Sequence, residues 1–134
     1  MKHEKAGTET PKLYYDTYAL YAIAIGDSDY RPFAKDHQIV TSLMNLYELY
    51  HSLLRDGREA LAEAYFERLA PCCVDITTEA IRKASRLRIK ESKRKLSYID
   101  CLGYVLAQDN AVMFLTGDQG FQELTDVVFV KSNA

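Results

Sequence analysis

The sequence predicts an α/β fold in which about five parallel strands form a central sheet covered by helices on both faces. Short apolar runs with strand character alternate with longer segments of helical period along the chain. Such alternation requires crossover connections, which place successive strands parallel. The length of 134 residues fits one ordinary domain, and a composition of 48% hydrophobic and 27% charged residues is typical of a globular protein.

The predicted elements follow from local pattern. Residues 1–11 are polar and are expected to form a flexible tail, so that residues 12–134 make up a single domain. Gly26, Gly57 and Pro71 punctuate the first half, since glycine ends helices and proline interrupts them. The predicted strands cover 12–15, 38–41, 72–76, 112–116 and 127–130, and the predicted helices cover 17–25, 42–55, 58–70, 77–92 and 98–107, with a turn at 117–120 and a helical turn at 121–124.

The helix over 42–55 has the clearest amphipathic pattern. Its apolar residues recur at helical spacing, which predicts a face that packs against the rest of the domain. This stripe consists of Leu43, Leu46, Tyr47, Tyr50, Leu53 and Leu54.

Composition excludes several classes of protein. The longest apolar run, 18–25, spans eight residues, whereas a membrane helix needs about 20. The first dozen residues lack the apolar core of a secretory signal. The three cysteines are odd in number and two are adjacent, so we expect reduced, mostly buried thiols in a cytoplasmic protein without a membrane segment.

Four acidic residues are the candidates for chemistry. Asp16 follows the first predicted strand and Asp118 follows the strand over 112–116, at the sheet edge where ligands of open parallel sheets bind. Glu48 and Asp100 lie on predicted helices. No nucleophilic triad competes with these four acids.

Each acid also has a purely structural explanation. Asp16 suits a helix cap and Asp118 suits a turn. Asp100 lies three residues after Ser97, close to the spacing of a capping box. Glu48 lies roughly opposite the apolar stripe, which by itself is typical of a solvent-exposed glutamate.

The order of four segments resembles the PIN-domain family of ribonucleases, and most closely its VapC-like toxins. The resemblance extends from Lys12 to Val130, and its first and last segments are the most specific. The segments are Leu-Tyr-Tyr-Asp-Thr at 13–17, Leu-Tyr-Glu-Leu-Tyr at 46–50, Ser-Tyr-Ile-Asp at 97–100 and Leu-Thr-Gly-Asp-Gln-Gly-Phe at 115–121.

This resemblance implies a PIN-like three-layer α/β/α sandwich and an endoribonuclease that depends on Mg²⁺ or Mn²⁺. It also implies a homodimer, a small antitoxin partner and RNA as the substrate. Tyr18 and Tyr21 replace the small or aliphatic residues usual after the first motif, so the substrate groove is expected to be narrowed or reshaped. The implied catalytic and metal-binding residues are Asp16, Glu48, Asp100 and Asp118, and the implied supporting hydroxyls are those of Thr17 and Thr116.

The chemistry of the acids agrees with that implication. Mg²⁺ prefers oxygen ligands and is usually held by a few carboxylates. Carboxylates packed together without a cation repel one another, which raises their pKa values. The histidines, at positions 3, 37 and 51, and the cysteines are assigned no chemistry, because their positions suit neither catalysis nor a shared metal.

A basic segment precedes Asp100. Between Arg82 and Lys95 there are eight basic residues and one acid, a net charge of +7; since the whole chain carries −2, the remainder carries −9. Such a segment is typical of a phosphate-binding surface, although a solvated helix face with a linker has the same composition. The candidate RNA-binding residues are Arg82, Arg86, Lys90, Lys93, Arg94 and Lys95.

Two other functions stay open on the sequence. One is an RNA-processing nuclease of the same fold that is not a toxin. The other is a catalytically silent α/β binding module, or a receiver-like phosphoacceptor that would use Asp75 and Lys131. Against the receiver, the first strand ends in one acid, Asp16, instead of an acidic pair.

Overall fold

The computed structural model describes residues 11–132, so the polar tail expected over 1–11 lies almost entirely outside the described residues. Four parallel strands form one sheet in the order β2-β1-β3-β4. The strands are β1 (Leu13–Tyr15), β2 (Ile39–Val40), β3 (Met113–Thr116) and β4 (Val127–Phe129), and the helices are α1 (Thr17–Ala24), α2 (Leu43–Arg55), α3 (Glu59–Leu69), α4 (Thr78–Lys90) and α5 (Tyr98–Asp109).

The register places β1 and β3 side by side at the centre of the sheet. Tyr15 is paired with Leu115, and the backbone N–H of Asp16 donates to the Leu115 carbonyl at 3.2 Å. Asp16 and Thr116 therefore end two neighbouring strands at the same edge. Since strands 1 and 3 are not consecutive along the chain, this edge is also where the order of the sheet changes direction.

Helices cover both faces of the sheet, which confirms the predicted three-layer α/β/α arrangement. Alternate residues along each strand point to opposite faces. Tyr15 and Leu115 pack with α1, α2 and α3 in one core, and Tyr14 and Phe114 pack with α4 and α5 in the other. All four of these side chains are fully buried.

The strand predicted over 72–76 does not form. A short 3-10 turn, Ala70–Cys72, follows α3, and only Cys73 makes an isolated parallel bridge, to Thr41. The chain then leaves the sheet and enters α4 through the cap residue Thr77. The sheet described here accordingly has four strands and not about five.

The predicted face of α2 is partly wrong. Leu43 and Tyr47 are exposed, at 55% and 65% of their surface, and Leu54 is also exposed. The buried residues are Leu46, Leu49, Leu53 and Asn45. The buried face of α2, which packs against α1 and α3, is therefore rotated around the helix axis relative to the predicted stripe. The neighbouring helices decide which part of a broad apolar surface becomes core.

The predicted absence of a membrane segment was tested over residues 11–132, where no helix is long and apolar enough to cross a bilayer. The three thiols are free, as expected. Cys101 is buried, but Cys72 and Cys73 are only partly so, and the expectation of mostly buried thiols is wrong for this pair.

Candidate active site

The centre of the site is a hydrogen-bonded link between the ends of β1 and β3. Asp16, of which 3% is exposed, caps α1 by accepting a hydrogen bond from the Ala19 N–H at 2.9 Å through Oδ1. Its Oδ2 accepts from the Thr116 hydroxyl. The same hydroxyl accepts from the Asp118 N–H at 3.0 Å. Thr116 thus positions two acids at once.

Asp118 begins a tight turn. Its Oδ1 accepts from the Gly120 N–H at 2.9 Å, and the 3-10 turn Gln119–Phe121 follows. Gly117, before it, leaves no room for a side chain, because a Cβ there would lie 2.2 Å from the Tyr18 ring and 2.5 Å from the Val130 carbonyl oxygen. Glycine is therefore required at position 117 by the close packing around the acid.

Asp100 lies in the first turn of α5 and forms the predicted capping box. The Ser97 side chain accepts from the Asp100 N–H at 3.0 Å, and Asp100 Oδ2 accepts from the Ser97 N–H at 2.8 Å. The structural explanation of Asp100 is therefore confirmed, and its charge also acts on Asp16.

Glu48 is half-buried, which corrects its expected solvent exposure. The Thr17 hydroxyl donates to Glu48 Oε1 at 2.6 Å. Glu48 lies on α2 and Thr17 on α1, so this bond fixes the carboxylate between two helices. The supporting hydroxyl implied for Thr17 therefore contacts Glu48, whereas that of Thr116 contacts Asp16.

Sequence reasoning missed Asn45, which is 2% exposed and orders this part of the site. Its Nδ2 donates to Thr17 Oγ1 at 3.1 Å, and its Oδ1 accepts from the Tyr14 hydroxyl at 2.5 Å. A polar residue three positions before Glu48, directly beside core leucines, was the available signal. A series of hydrogen bonds therefore links Tyr14, in the core beneath α4 and α5, through Asn45 and Thr17 to Glu48.

The acids lie within reach of one another's charge. The pKa of Asp16 is raised to about 8, mainly by burial; the hydrogen bonds from Thr116 and Ala19 lower it, and the charges of Asp100 and Asp118 raise it. Burial, then the charge of Asp118, raises the pKa of Asp100. Burial also raises the pKa of Glu48, with a contribution from Asp100. Asp100 is thus electrostatically linked to each of the other three carboxylates.

The donor set suits a hard divalent cation in type and charge. It consists of carboxylates and hydroxyls, and repulsion among the carboxylates is what a cation relieves. Over residues 11–132, however, no three His, Cys, Asp or Glu side chains stand close enough together to form a ready metal site. The carboxylates would therefore need to draw together around an ion.

The basic segment divides into free and engaged side chains. Arg94 is engaged: it donates to Glu91 Oε1 at 2.9 Å and to the carbonyls of Gly120 and Gln122 at 3.2 and 3.0 Å, which ties the segment to the Asp118 turn. Arg82 is exposed and lies 3.6 Å from Glu79. The other predicted RNA-binding residues, Arg86, Lys90, Lys93 and Lys95, are exposed.

The end of α4 is also fixed near Asp100. The Arg88 guanidinium lies 4.1 Å from the centroid of the Tyr98 ring, at the first residue of α5, and its Nε donates to the Leu96 carbonyl at 3.0 Å. The exposed cations of α4 therefore continue toward the helix that carries Asp100.

Comparison with known proteins agrees with this architecture. A family model for the PIN domain matches residues 13–127. No curated protein matches the sequence. Among solved structures, a chain of a toxin–antitoxin complex from Klebsiella pneumoniae has a TM-score of 0.68 at 18% identity, covering 87% of this chain and 96% of that one.

Two further structures share the fold. Mycobacterium tuberculosis VapC20, a toxin that cleaves the sarcin–ricin loop, has a TM-score of 0.69 at 20% identity over 87% of this chain and 98% of its own. The protein PAE2754 from Pyrobaculum aerophilum has a TM-score of 0.66 at 15% identity over 89% of this chain and 90% of its own. At these identities the structural matches establish the fold.

Proposed function

This chain belongs to the PIN domain family, and from that premise we propose that it is a metal-dependent endoribonuclease that hydrolyses RNA phosphodiester bonds. The observation that carries the proposal is that Thr116 joins Asp16 and Asp118 at the edge where β1 and β3 end, with the charge of Asp100 acting on Asp16 and on Glu48. Burying mutually repelling acids costs stability unless a ligand of opposite charge compensates them.

Asp16, Asp100 and Asp118 are the residues proposed to hold the cation, Mg²⁺ or Mn²⁺, with Glu48 in support. When bound, such an ion lowers the pKa of its water and polarises the phosphodiester. Thr116 holds Asp16 and Asp118 in one arrangement by donating to the first and accepting from the backbone of the second.

Glu48 is proposed to act as a general base. Thr17 binds its Oε1, and Oε2 accepts no hydrogen bond from the described residues, so that oxygen is available for a proton from the attacking water. The raised pKa of Glu48 suits this task, because proton transfer is most effective when the pKa of the base approaches the working pH.

The exposed cations of α4 and of the following turn are proposed to bind the RNA backbone. Arg82, Arg86, Lys90, Lys93 and Lys95 form a basic surface that leads toward Asp100, whereas Arg94 holds the Asp118 turn. Backbone contacts of this kind give affinity that falls steeply with salt.

We also propose that the protein is the toxin of a toxin–antitoxin pair, works in the cytoplasm as a homodimer and is inhibited by a small antitoxin protein. Support comes from the solved relatives, since one is a chain of a toxin–antitoxin complex and another is a toxin that cleaves the sarcin–ricin loop. Growth arrest on expression, relieved by a neighbouring small gene product, would distinguish a toxin from an RNA-processing nuclease.

The test is cleavage of structured and single-stranded RNA by the purified chain. We expect cleavage with Mg²⁺ or Mn²⁺, none in excess EDTA and none for Asp100→Asn, which keeps an oxygen for the Ser97 N–H. The control is Asp75→Asn, which removes an exposed carboxylate outside the acidic cluster. Full cleavage in EDTA, or by Asp100→Asn, would overturn the proposal.

One observation favours a second candidate, a silent RNA-binding module. No three potential ligands over residues 11–132 stand ready for a metal. This candidate predicts salt-sensitive RNA binding with no cleavage under any divalent cation, and equal binding by the wild type and Asp100→Asn.

A further inference from the structure

A cleft of about 520 Å³ opens directly beside the acidic site, between α1 and the end of α2. Its walls include Thr17, Tyr18, Tyr21, Ser52, Arg55 and Asp56. The volume falls in the range of small-ligand sites and suffices for one nucleoside. None of the acids assigned to hydrolysis lines it.

Two contacts connect the cleft to the site of hydrolysis. Thr17 lines the cleft and also donates to Glu48. The Tyr18 ring lines the cleft and packs on Gly117, the residue before Asp118. A nucleotide whose phosphate lies among the acids would therefore place a neighbouring base at the mouth of this cleft.

Hydrogen bonds hold the two tyrosine rings in the walls of the cleft. The Tyr21 hydroxyl donates to Asp56 Oδ2, and the Tyr18 hydroxyl accepts from the Ser132 N–H at 2.9 Å. Both tyrosine rings are thus held by their distal ends. Single-stranded RNA is commonly recognised by stacking of bases on such aromatic side chains.

A donor and an acceptor stand side by side at the rim. The Arg55 Nε lies 3.6 Å from Asp56 Oδ1, with 64% and 31% of the two side chains exposed. The hydrogen bond from Tyr21 lowers the pKa of Asp56, which keeps this carboxylate an acceptor at neutral pH.

Guanine matches this pair best among the RNA bases. It offers two adjacent acceptors, O6 and N7, which arginine binds in a bidentate manner. The adjoining edge offers two donors, N1–H and N2–H, which suit a carboxylate. Adenine, cytosine and uracil lack this combination of neighbouring edges.

We propose that the cleft binds a base of the RNA substrate next to the scissile phosphate, and that Arg55 and Asp56 select guanine there. The inference rests on the proposed ribonuclease function for its biological setting. Binding of the base itself is independent of hydrolysis and can be measured without it.

The test is a titration of the full chain with GMP, AMP, CMP and UMP in EDTA, followed by NMR chemical shifts. EDTA removes metal-mediated phosphate binding, and the phosphate is common to all four probes. We expect GMP to bind about tenfold more tightly than the other three, with shifts at Tyr18, Tyr21 and Arg55.

Two variants and one control sharpen the result. Arg55→Ala should weaken GMP binding about tenfold, and Asp56→Asn should remove the preference for GMP. Arg31→Ala, which removes an exposed arginine outside the cleft, should bind as the wild type does. Equal binding of the four nucleotides, or unchanged GMP binding by Arg55→Ala, would overturn the proposal.

A parallel cleavage assay separates the two proposals. Short RNAs that differ only in carrying G, A, C or U at each position would be digested with Mn²⁺. GMP selectivity without any cleavage would overturn the ribonuclease and leave the guanine site standing. Cleavage without GMP selectivity would overturn the guanine site and leave the ribonuclease standing.

Discussion

The hydroxyl of Thr116 donates to the carboxylate of Asp16, two residues that lie 100 positions apart in the chain. The bond joins the last residue of β3 to the residue that follows β1, across the two central strands. The Thr116 oxygen also accepts a hydrogen bond from the Asp118 N–H. Asp16, Thr116 and Asp118 therefore form one hydrogen-bonded unit.

Asp16→Asn should stabilise the metal-free protein at neutral pH. The pKa of Asp16 is raised to about 8, so the unfolded chain releases this proton first and stability falls as the pH rises from about 4 to about 8. We expect a gain on the order of 2 to 5 kcal/mol at pH 8 and almost none at pH 4. Urea unfolding of the wild type and the variant in EDTA, at pH 4 and at pH 8, measures this gain in unfolding free energy.

The same variant should lose the response to cations. In the wild type, Mn²⁺ should raise the melting temperature at pH 8, because a bound ion stabilises the native state by mass action. Asp16→Asn should show little shift, and Asp75→Asn should respond like the wild type. An equal response in all three would exclude Asp16 as a ligand.

Thr116→Val should reduce cleavage by more than the lost stability explains. The substitution removes a donor that lowers the pKa of Asp16 and leaves the Asp118 N–H without its acceptor, at a cost of about 1 to 3 kcal/mol. The pH profile of cleavage should move to higher pH, and Thr116→Ser should restore it. A Val variant with the wild-type profile would contradict this role.

Asn45 should prove a positioning residue for Glu48. Asn45→Ala removes the acceptor that the buried hydroxyls of Tyr14 and Ser42 share, and should cost about 1 to 3 kcal/mol in unfolding free energy. The double variant Tyr14→Phe/Asn45→Leu also removes the Tyr14 hydroxyl, so part of the lost stability should return. Cleavage should stay low in both, because Thr17 has lost the amide that orients it. Recovery of cleavage together with stability would indicate a packing role only.

Arg94→Ala and Lys93→Ala remove the same charge and should behave differently. Arg94 holds the carbonyls of Gly120 and Gln122, so its loss should lower both the melting temperature and cleavage at every salt concentration. Lys93 is exposed, so its loss should weaken RNA binding and reduce the salt slope by about one. Fluorescence anisotropy of RNA binding at several salt concentrations distinguishes the two variants. Identical salt slopes for both would contradict the separate roles of Arg94 and Lys93.

Strand ends were the most predictable part of the molecule. Asp16 and Asp118 each follow a short apolar run, and such runs in an alternating α/β sequence place the next residue at one edge of the sheet. The capping box at Ser97 and Asp100 was likewise visible from spacing alone, and it forms. Helix beginnings of this kind depend on a few neighbouring residues and require no knowledge of the tertiary fold.

The less predictable features depend on which elements meet. Glu48 is opposite the apolar stripe of its own helix, yet it is half-buried because Thr17 on another helix reaches it. Leu43 and Tyr47 resemble core residues, yet α1 and α3 cover the neighbouring face instead. Cys73 lies in an apolar run but makes a single bridge, since the chain turns away toward Thr77.

The three aspartates of the site all bind backbone N–H groups: Asp16 at α1, Asp100 at α5 and Asp118 at its turn. Glu48 binds none and is held by a side-chain hydroxyl alone. A descendant that abandoned hydrolysis would still need a capping side chain at these three positions, for which asparagine would also serve, while Glu48 would be free to drift. Among homologous sequences, the residue at position 48 should therefore distinguish active enzymes from inactive ones better than the three aspartate positions do.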